Sequence, residues 1–232
     1  MAVGKFSPST MYPTFDFHTT AEDVATAFAE QIQRKNILIT GTSLNGLGFE
    51  TARAVAKYAN LVIITGYNKE RLGLAHAELR KEGSHAEIRP LVIDLASLKD
   101  VRRAAAEVNA YAEPIHVLVN NAAAAVGAFK LSPEGYENQL ATDHLGPFLF
   151  TALIAPKLLA ARTETFTPRV VFVSSLGHEY GSVNFETLGK PDPALYDSMG
   201  AYRQAKTANI LTASELSRRA KGALKSYSLH PG

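Results

Sequence analysis

Cysteine is absent from the 232 residues, which excludes a disulfide, a thiol nucleophile and a cysteine-ligated zinc. The seven histidines show no paired metal-ligand spacing, so no metal site is expected. No run approaches the roughly 18 apolar residues of a membrane span, and the N-terminus has no basic region leading into an apolar one. No Asn-x-Ser/Thr acceptor occurs either. These absences lead to the expectation of a cytoplasmic protein without a membrane span. Charge of one sign is also lacking: 24 Lys and Arg are interspersed with 22 Asp and Glu for a net +2, so no nucleic-acid partner is expected. A Gly-x-Ser-x-Gly elbow is missing, which sets aside an α/β-hydrolase. No linker-like stretch divides the chain, and one well-buried domain is the expectation.

The most informative stretch is Asn36 to Gly48, where a short β-branched apolar run breaks into the turn Thr40-Gly41-Thr42-Ser43-Leu44-Asn45-Gly46-Leu47-Gly48 and then into a helical pattern. Gly41 lets the backbone turn sharply, Gly46 lets it approach a phosphate, and Gly48 lets helix and strand pack closely. A pyrophosphate is favoured at such a helix N-terminus by unpaired N–H groups and the macrodipole. Glycine-rich turns of this kind also serve other nucleotides or merely connect elements. The spacing Gly41-x4-Gly46 fits a P-loop, but Leu47-Gly48 stands where Lys-Ser/Thr is needed, so an ATPase is not expected.

Along the chain, residues 1–18 read as an extended arm and 19–232 as the nucleotide-binding domain. Thr19 to Glu22 fits a capping box for a helix whose stripe, Val24, Phe28 and Ile32, packs on the domain rim in preference to a membrane surface. Strands are expected at 61–65, 88–93, 115–119, 169–173 and 224–229. Helices are expected at 68–82, from Ser97 to about 112, from Pro133 to about 161 with breaks at Gly146-Pro147 and Pro156, and at 201–220. Alternating strands and helices predict an α/β fold, a doubly wound parallel sheet, with ligands at the carboxyl ends of the strands. Residues 176–198 form a long Gly/Pro/Asp-rich loop of the kind that carries function.

Tyr202 and Lys206 stand four apart on a predicted helix, so both project from one face. A lysine ammonium beside a phenol favours the phenolate and makes a general acid/base. By itself such a pair also reads as ordinary surface. Ser175 at the end of a strand adds a third polar group on the ligand side. With these three the chain resembles the short-chain dehydrogenase/reductase family, in its branch of retinol-dehydrogenase-like and WW-domain-oxidoreductase-like members. The motifs stand in family order from Ile37 to Gly232: the glycine turn, Asp94-Leu95, Asn120-Asn121-Ala122, Asp143-His144-Leu145-Gly146, Val173-Ser174-Ser175, Tyr202-x-x-x-Lys206 and Pro231-Gly232.

The resemblance implies a Rossmann fold and hydride transfer between a nicotinamide cofactor and the carbonyl or alcohol of a small apolar substrate. It makes Tyr202 the acid/base, Lys206 the holder of the nicotinamide ribose, Ser175 the partner of the substrate oxygen, and Asp143 the fourth catalytic position. The implied cofactor residues are Gly41, Ser43, Asn45, Gly46, Leu47 and Gly48 in the turn, with Asn68, Asp94, Leu95, Asn121, Ala122, Tyr202, Lys206, Pro231 and Gly232 at the strand ends. NADP(H) is expected ahead of NAD(H), because Thr65-Gly66-Tyr67-Asn68 lacks the acid that binds a ribose 2′-hydroxyl. Lys69, Arg71 and Arg53 are the candidate partners of a 2′-phosphate.

Three positions depart from the family pattern. The turn holds one residue more between Gly41 and Gly46, Ala123 replaces a glycine, and Asp143 replaces an asparagine. Asp143 is expected to weaken the acid/base machinery without abolishing it. Family members continue past Pro-Gly into a substrate lid and another strand, so a chain ending at Gly232 is expected to bind cofactor and turn over poorly. Apolar faces on the long helix and the Tyr202 helix are where many members pair, which makes a homodimer the candidate assembly. The competing expectation is a non-catalytic nucleotide sensor or interaction protein on the same fold.

Overall fold

Strand β1 (Asn36–Ile39) is buried at every position, because alternate residues enter opposite faces of the sheet. Leu38 joins a cluster with Val101, Ala105, Phe150 and Phe172, whereas Ile37 and Ile39 join one with Ala52, Ala56, Leu72 and Leu79. A strand apolar on both faces needs helices on both, and the computed structural model, which describes residues 14–232, shows them.

After α1 (Ala21–Ala27) and α2 (Ala29–Ile32), the chain runs β1, α3 (Leu47–Ala56), β2 (Leu61–Gly66), α4 (Lys69–Lys81), β3 (Glu87–Val92), α5 (Leu98–Ala110) and β4 (Val117–Asn120). Then come α6 (Asn138–Leu140), one π-helical turn (Ala141–Leu145), α7 (Gly146–Leu153), α8 (Ala155–Leu159) and β5 (Arg169–Val173). Two short 3₁₀ turns, Leu176–Tyr180 and Pro193–Leu195, lead to α9 (Ser198–Ala220) and β6 (Lys225–Leu229). All neighbours pair in parallel in the order β3-β2-β1-β4-β5-β6. The order reverses between β1 and β4, where the loops leaving adjacent strands part to opposite faces and open a crevice. Helices α3 and α4 cover one face, and α5, α7 and α9 the other. Phe150 and Phe172 are fully buried in the second cover, and truncating either to alanine costs about 3–5 kcal/mol.

Four expectations are corrected or bounded. Of the arm over 1–18, residues 1–13 lie outside the described residues, and 14–18 end in a turn where the His18 N–H donates to Asp16 Oδ1 at 2.8 Å. The capping box is Thr20/Asp23, one residue later than Thr19/Glu22. Thr19 Oγ1 instead accepts the Asp16 N–H, and Glu22 is spent on Arg53 and Lys57 of α3 and its C-cap. The helix expected from Pro133 starts at Asn138, because Gly135 is left-handed (φ +85°) and Leu131 bridges Glu137. The expected break at Gly146-Pro147 falls one turn earlier, as the π turn; Pro147, in the first turn of α7, lacks only an N–H that needs no partner there.

Candidate active site

The turn after β1 is shaped by contacts no side chain could share. Gly41 has φ +72°, and a Cβ on it would lie 2.6 Å from Ala122 Cα. A Cβ on Gly48 would lie 2.4 Å from Asn121 Nδ2 and 2.5 Å from the Gly41 oxygen. Gly46 is the N-cap of α3 and brings no side chain to cap the first-turn N–H groups. Ser43, Asn45 and Leu47 are exposed around it. Asn45 absorbs the longer turn in the left-handed region (φ +60°), which asparagine tolerates. Bare N–H groups at a ten-residue helix, fronted by an open turn, fit a pyrophosphate.

A second loop holds that turn in place. Asn121 Nδ2 donates to the carbonyls of Thr40 and Gly41 at 2.8 and 3.0 Å. Thr40 Oγ1 in return accepts the N–H groups of Asn121 and Ala122, both at 3.0 Å. The Asn121 side chain is thus occupied in positioning backbone, and the hydroxyl of Thr40, which opens the glycine turn, is a site component to which the motif assigned no role. Ala123 does not adopt a positive φ, so the methyl there carries no backbone strain.

At the end of β2, Ser43, Tyr67, Asn68 and Arg71 line a small cleft. Asn68 Oδ1 caps α4 by accepting the Arg71 N–H at 2.9 Å. Arg53 is not available to this cleft: its guanidinium is taken by Glu50 at 2.6 Å, Glu22 at 3.5 Å and Glu82 at 3.6 Å. Asp94 is exposed, with Oδ1 accepting the Ala96 N–H, while the Leu95 side chain is buried in the core. Pro231 and Gly232 follow β6, whose Leu229 carbonyl accepts the Ser174 N–H, so they lie on the side of Ser174 and Ser175.

Tyr202, Lys206 and Ser175 come together at the carboxyl ends of β4 and β5. Lys206 Nζ lies 5.4 Å from the centre of the Tyr202 ring and 3.3 Å from the Val173 carbonyl, to which it donates. Tyr202 Cε1 and Ser175 Oγ lie 3.4 and 3.5 Å from the place a Gly177 Cβ would take, so Gly177 keeps the gap between them clear. Ser175 Oγ accepts the Gly177 N–H. Its neighbour Ser174 is buried and donates to the Lys206 carbonyl at 2.8 Å, fixing α9 against β5.

Asp143 also reaches this group. Its Oδ2 faces Lys206 Nζ at 3.4 Å, with both side chains almost wholly buried. Oδ1 accepts the Ala124 N–H at 2.6 Å, and Oδ2 has no hydrogen bond. Burial raises the Asp143 carboxyl to about 6, against the pull of Lys206 and the Ala124 amide. The Asp143 carbonyl accepts from Asn209 Nδ2 at 3.1 Å, and Asn209 Oδ1 meets His144 Nδ1 at 3.0 Å. Asn209, one turn beyond Lys206 on the buried face of α9, is therefore a second partner that the motifs did not show. Farther out, the loop before α9 is fastened by Tyr196, whose hydroxyl takes the Gln139 amide and donates to the Gly127 carbonyl.

Among the described residues no group of three or more His, Asp or Glu could hold a metal ion, and no helix is long and apolar enough to cross a membrane. A six-stranded parallel sheet with a glycine turn at its switch point and polar side chains on the neighbouring strand ends defines a dinucleotide-binding α/β protein. Residues 35–187 match the short chain dehydrogenase family model, and the chain belongs to that family of nicotinamide-dependent oxidoreductases. It is 35% identical over 202 residues to retinol dehydrogenase 13 of Mus musculus, covering 87% of this chain and 59% of that protein. It is 34% identical over 226 residues to the WW domain-containing oxidoreductase of Danio rerio, covering 94% and 53%. The chain thus spans less than two thirds of either relative. A solved protein from Mycobacterium paratuberculosis superposes with TM-score 0.70 at 33% identity, covering 88% of this chain and 71% of that one.

Proposed function

We propose that the protein transfers hydride between NADP(H) and the carbonyl or alcohol of a small apolar substrate. The observation that carries this is the convergence of Tyr202, Lys206 and Ser175 beside the crevice that Gly41, Gly46 and Gly48 keep open. When bound, the nicotinamide supplies or accepts the hydride. The Tyr202 hydroxyl gives a proton to the carbonyl oxygen in reduction and takes it back in oxidation. Lys206 favours the phenolate by its charge and offers a donor to the ribose, and Ser175 Oγ orients the substrate oxygen. Exposed Leu176 and Val126, next to Ser175 and beyond β4, suit an apolar substrate.

Arg71 supports the cofactor preference: it lines the cleft at the end of β2, where no acid stands to repel a 2′-phosphate. Titration with NADPH and NADH tests this, and tighter binding of NADH would refute it. Oxidation of NADPH with a panel of carbonyl compounds, with Tyr202→Phe as reference, tests the reaction. One observation favours the sensor reading, namely the carboxylate of Asp143 against Lys206. Cofactor binding without turnover across the panel would select it.

A further inference from the structure

We propose that Asp143 is a proton-operated positioning residue: ionised, it draws the Lys206 ammonium inward and offsets its field at Tyr202, and protonated, it releases Lys206 to the ribose and the phenol. This rests on the assignment of Tyr202, Lys206 and Ser175 given above and adds control of that site by pH.

The geometry separates charge from shape. Asp143 Oδ1 is held by the Ala124 amide at 2.6 Å, so the side chain has an anchor in either protonation state. Oδ2 is the oxygen left without a hydrogen bond, and it is the one 3.4 Å from Lys206 Nζ. A proton arriving on Oδ2 therefore removes the charge facing Lys206 while leaving the backbone of the Ala122–Ala124 segment fastened. Lys206 has three N–H donors; one goes to the Val173 carbonyl, and an ionised Asp143 competes for the others.

The surroundings set where the proton is taken up. Lys206 from α9 favours the carboxylate, whereas burial and the charge of Glu137, just ahead of α6, disfavour it. Burial lowers the His144 pKa, against the hydrogen bond between its Nδ1 and Asn209 Oδ1, and so favours the neutral ring. On α9 Lys206 faces the Tyr202 ring, the segment after β4 contributes the Ala124 amide, and β5 contributes the Val173 carbonyl. The balance raises the carboxyl to about 6, so the switch lies just below neutral pH, with the ionised form above it.

Asp143→Asn copies the shape of the protonated acid. The experiment is single-turnover NADPH oxidation with a carbonyl substrate from the panel, from pH 5 to 8, for the parent, Asp143→Asn and the Tyr202→Phe reference. The expected ratio of Asp143→Asn to parent is near one at pH 5 and rises to on the order of tenfold at pH 8, with a midpoint near 6. A ratio independent of pH, or a variant slower than the parent throughout, overturns the proposal. Turnover undiminished in Tyr202→Phe would instead remove the acid/base assignment beneath it. Should Asp143→Asn fail to fold, the parent's affinity for NADH, which carries no 2′-phosphate, is expected to weaken as pH rises through 6. An affinity constant from pH 5 to 8 overturns the proposal equally.

Discussion

Asn121 holds Gly41: its side-chain amide donates to the Gly41 carbonyl at 3.0 Å and to the Thr40 carbonyl at 2.8 Å, tying the loop after β4 to the turn after β1. Asn121→Ala removes both bonds and leaves two half-buried carbonyls short of a donor. The expected loss of stability is about 1–3 kcal/mol, read by urea unfolding, with a fall in NADPH affinity because the turn is no longer pinned. Unchanged affinity in the destabilised variant would show that the turn holds its shape without Asn121.

Two glycines should respond in opposite directions. Gly48→Ala drives a methyl to within 2.4 Å of Asn121 Nδ2 and 2.5 Å of the Gly41 oxygen, so turn and loop must separate. Destabilisation of about 1–3 kcal/mol and loss of cofactor binding are expected. Gly73 is inside α4 with nothing within 4 Å of its missing Cβ, and Gly73→Ala is expected to add about 0.5–1 kcal/mol. Thermal unfolding of the pair measures both signs.

Arg71→Ala should discriminate between the cofactors. Loss of a charge-assisted contact to the 2′-phosphate, worth about 1.5–3 kcal/mol, lowers NADPH affinity roughly 10- to 100-fold, while NADH affinity stays nearly constant. Equal losses for both would place Arg71 in the structure of the cleft and not in phosphate recognition.

A half-buried histidine and a buried aspartate pull the acid stability profile in opposite directions. His116 Nδ1 accepts the Asn36 N–H at 3.1 Å, and burial, aided by Lys35, lowers its pKa from 6.5 to about 4. The unfolded chain therefore binds the extra proton between pH 6.5 and 4, so this stability is complete above 6.5 and lost as pH falls through 4. Asp143, raised from 3.8 to about 6, contributes the reverse: stability present below about 4 and lost as pH rises through 6. His116→Gln is expected to flatten the decline of the urea midpoint on acidification from pH 6.5, and Asp143→Asn to steepen it. A decline unaltered by His116→Gln would remove histidine from the balance.

The sheet was legible because β1, β2, β4 and β5 are short apolar runs, and α4 and α5 begin at caps within reach of local pattern. Asn68 and Ser97 cap α4 and α5, as the side-chain bonds to Arg71 and Asp100 show. Local pattern failed where two local solutions competed, as with Thr19/Glu22 and Thr20/Asp23. It failed again at Gly135, whose left-handed backbone ends any helix begun at Pro133. The candidate site was legible as residue types in order, but not as contacts. Arg53 reads as paired with Glu50 one turn before it, until Glu22 and Glu82 converge on it from distant segments as well. Asn209, Thr40 and Ser174 act through backbone carbonyls and amides, which have no signature in a sequence.

The pairing of β1 with β4 also sets an order of events in folding. The turn at Gly41 leaves the ribosome some eighty residues before the strand and asparagine that pin it, with β2, β3 and three crossovers in between. Contacts of such sequence separation form late, since the intervening loop must be closed first. A nascent chain carrying only the first three strands therefore has the glycines of the turn without their brace, which the turn gains only when Asn121 docks.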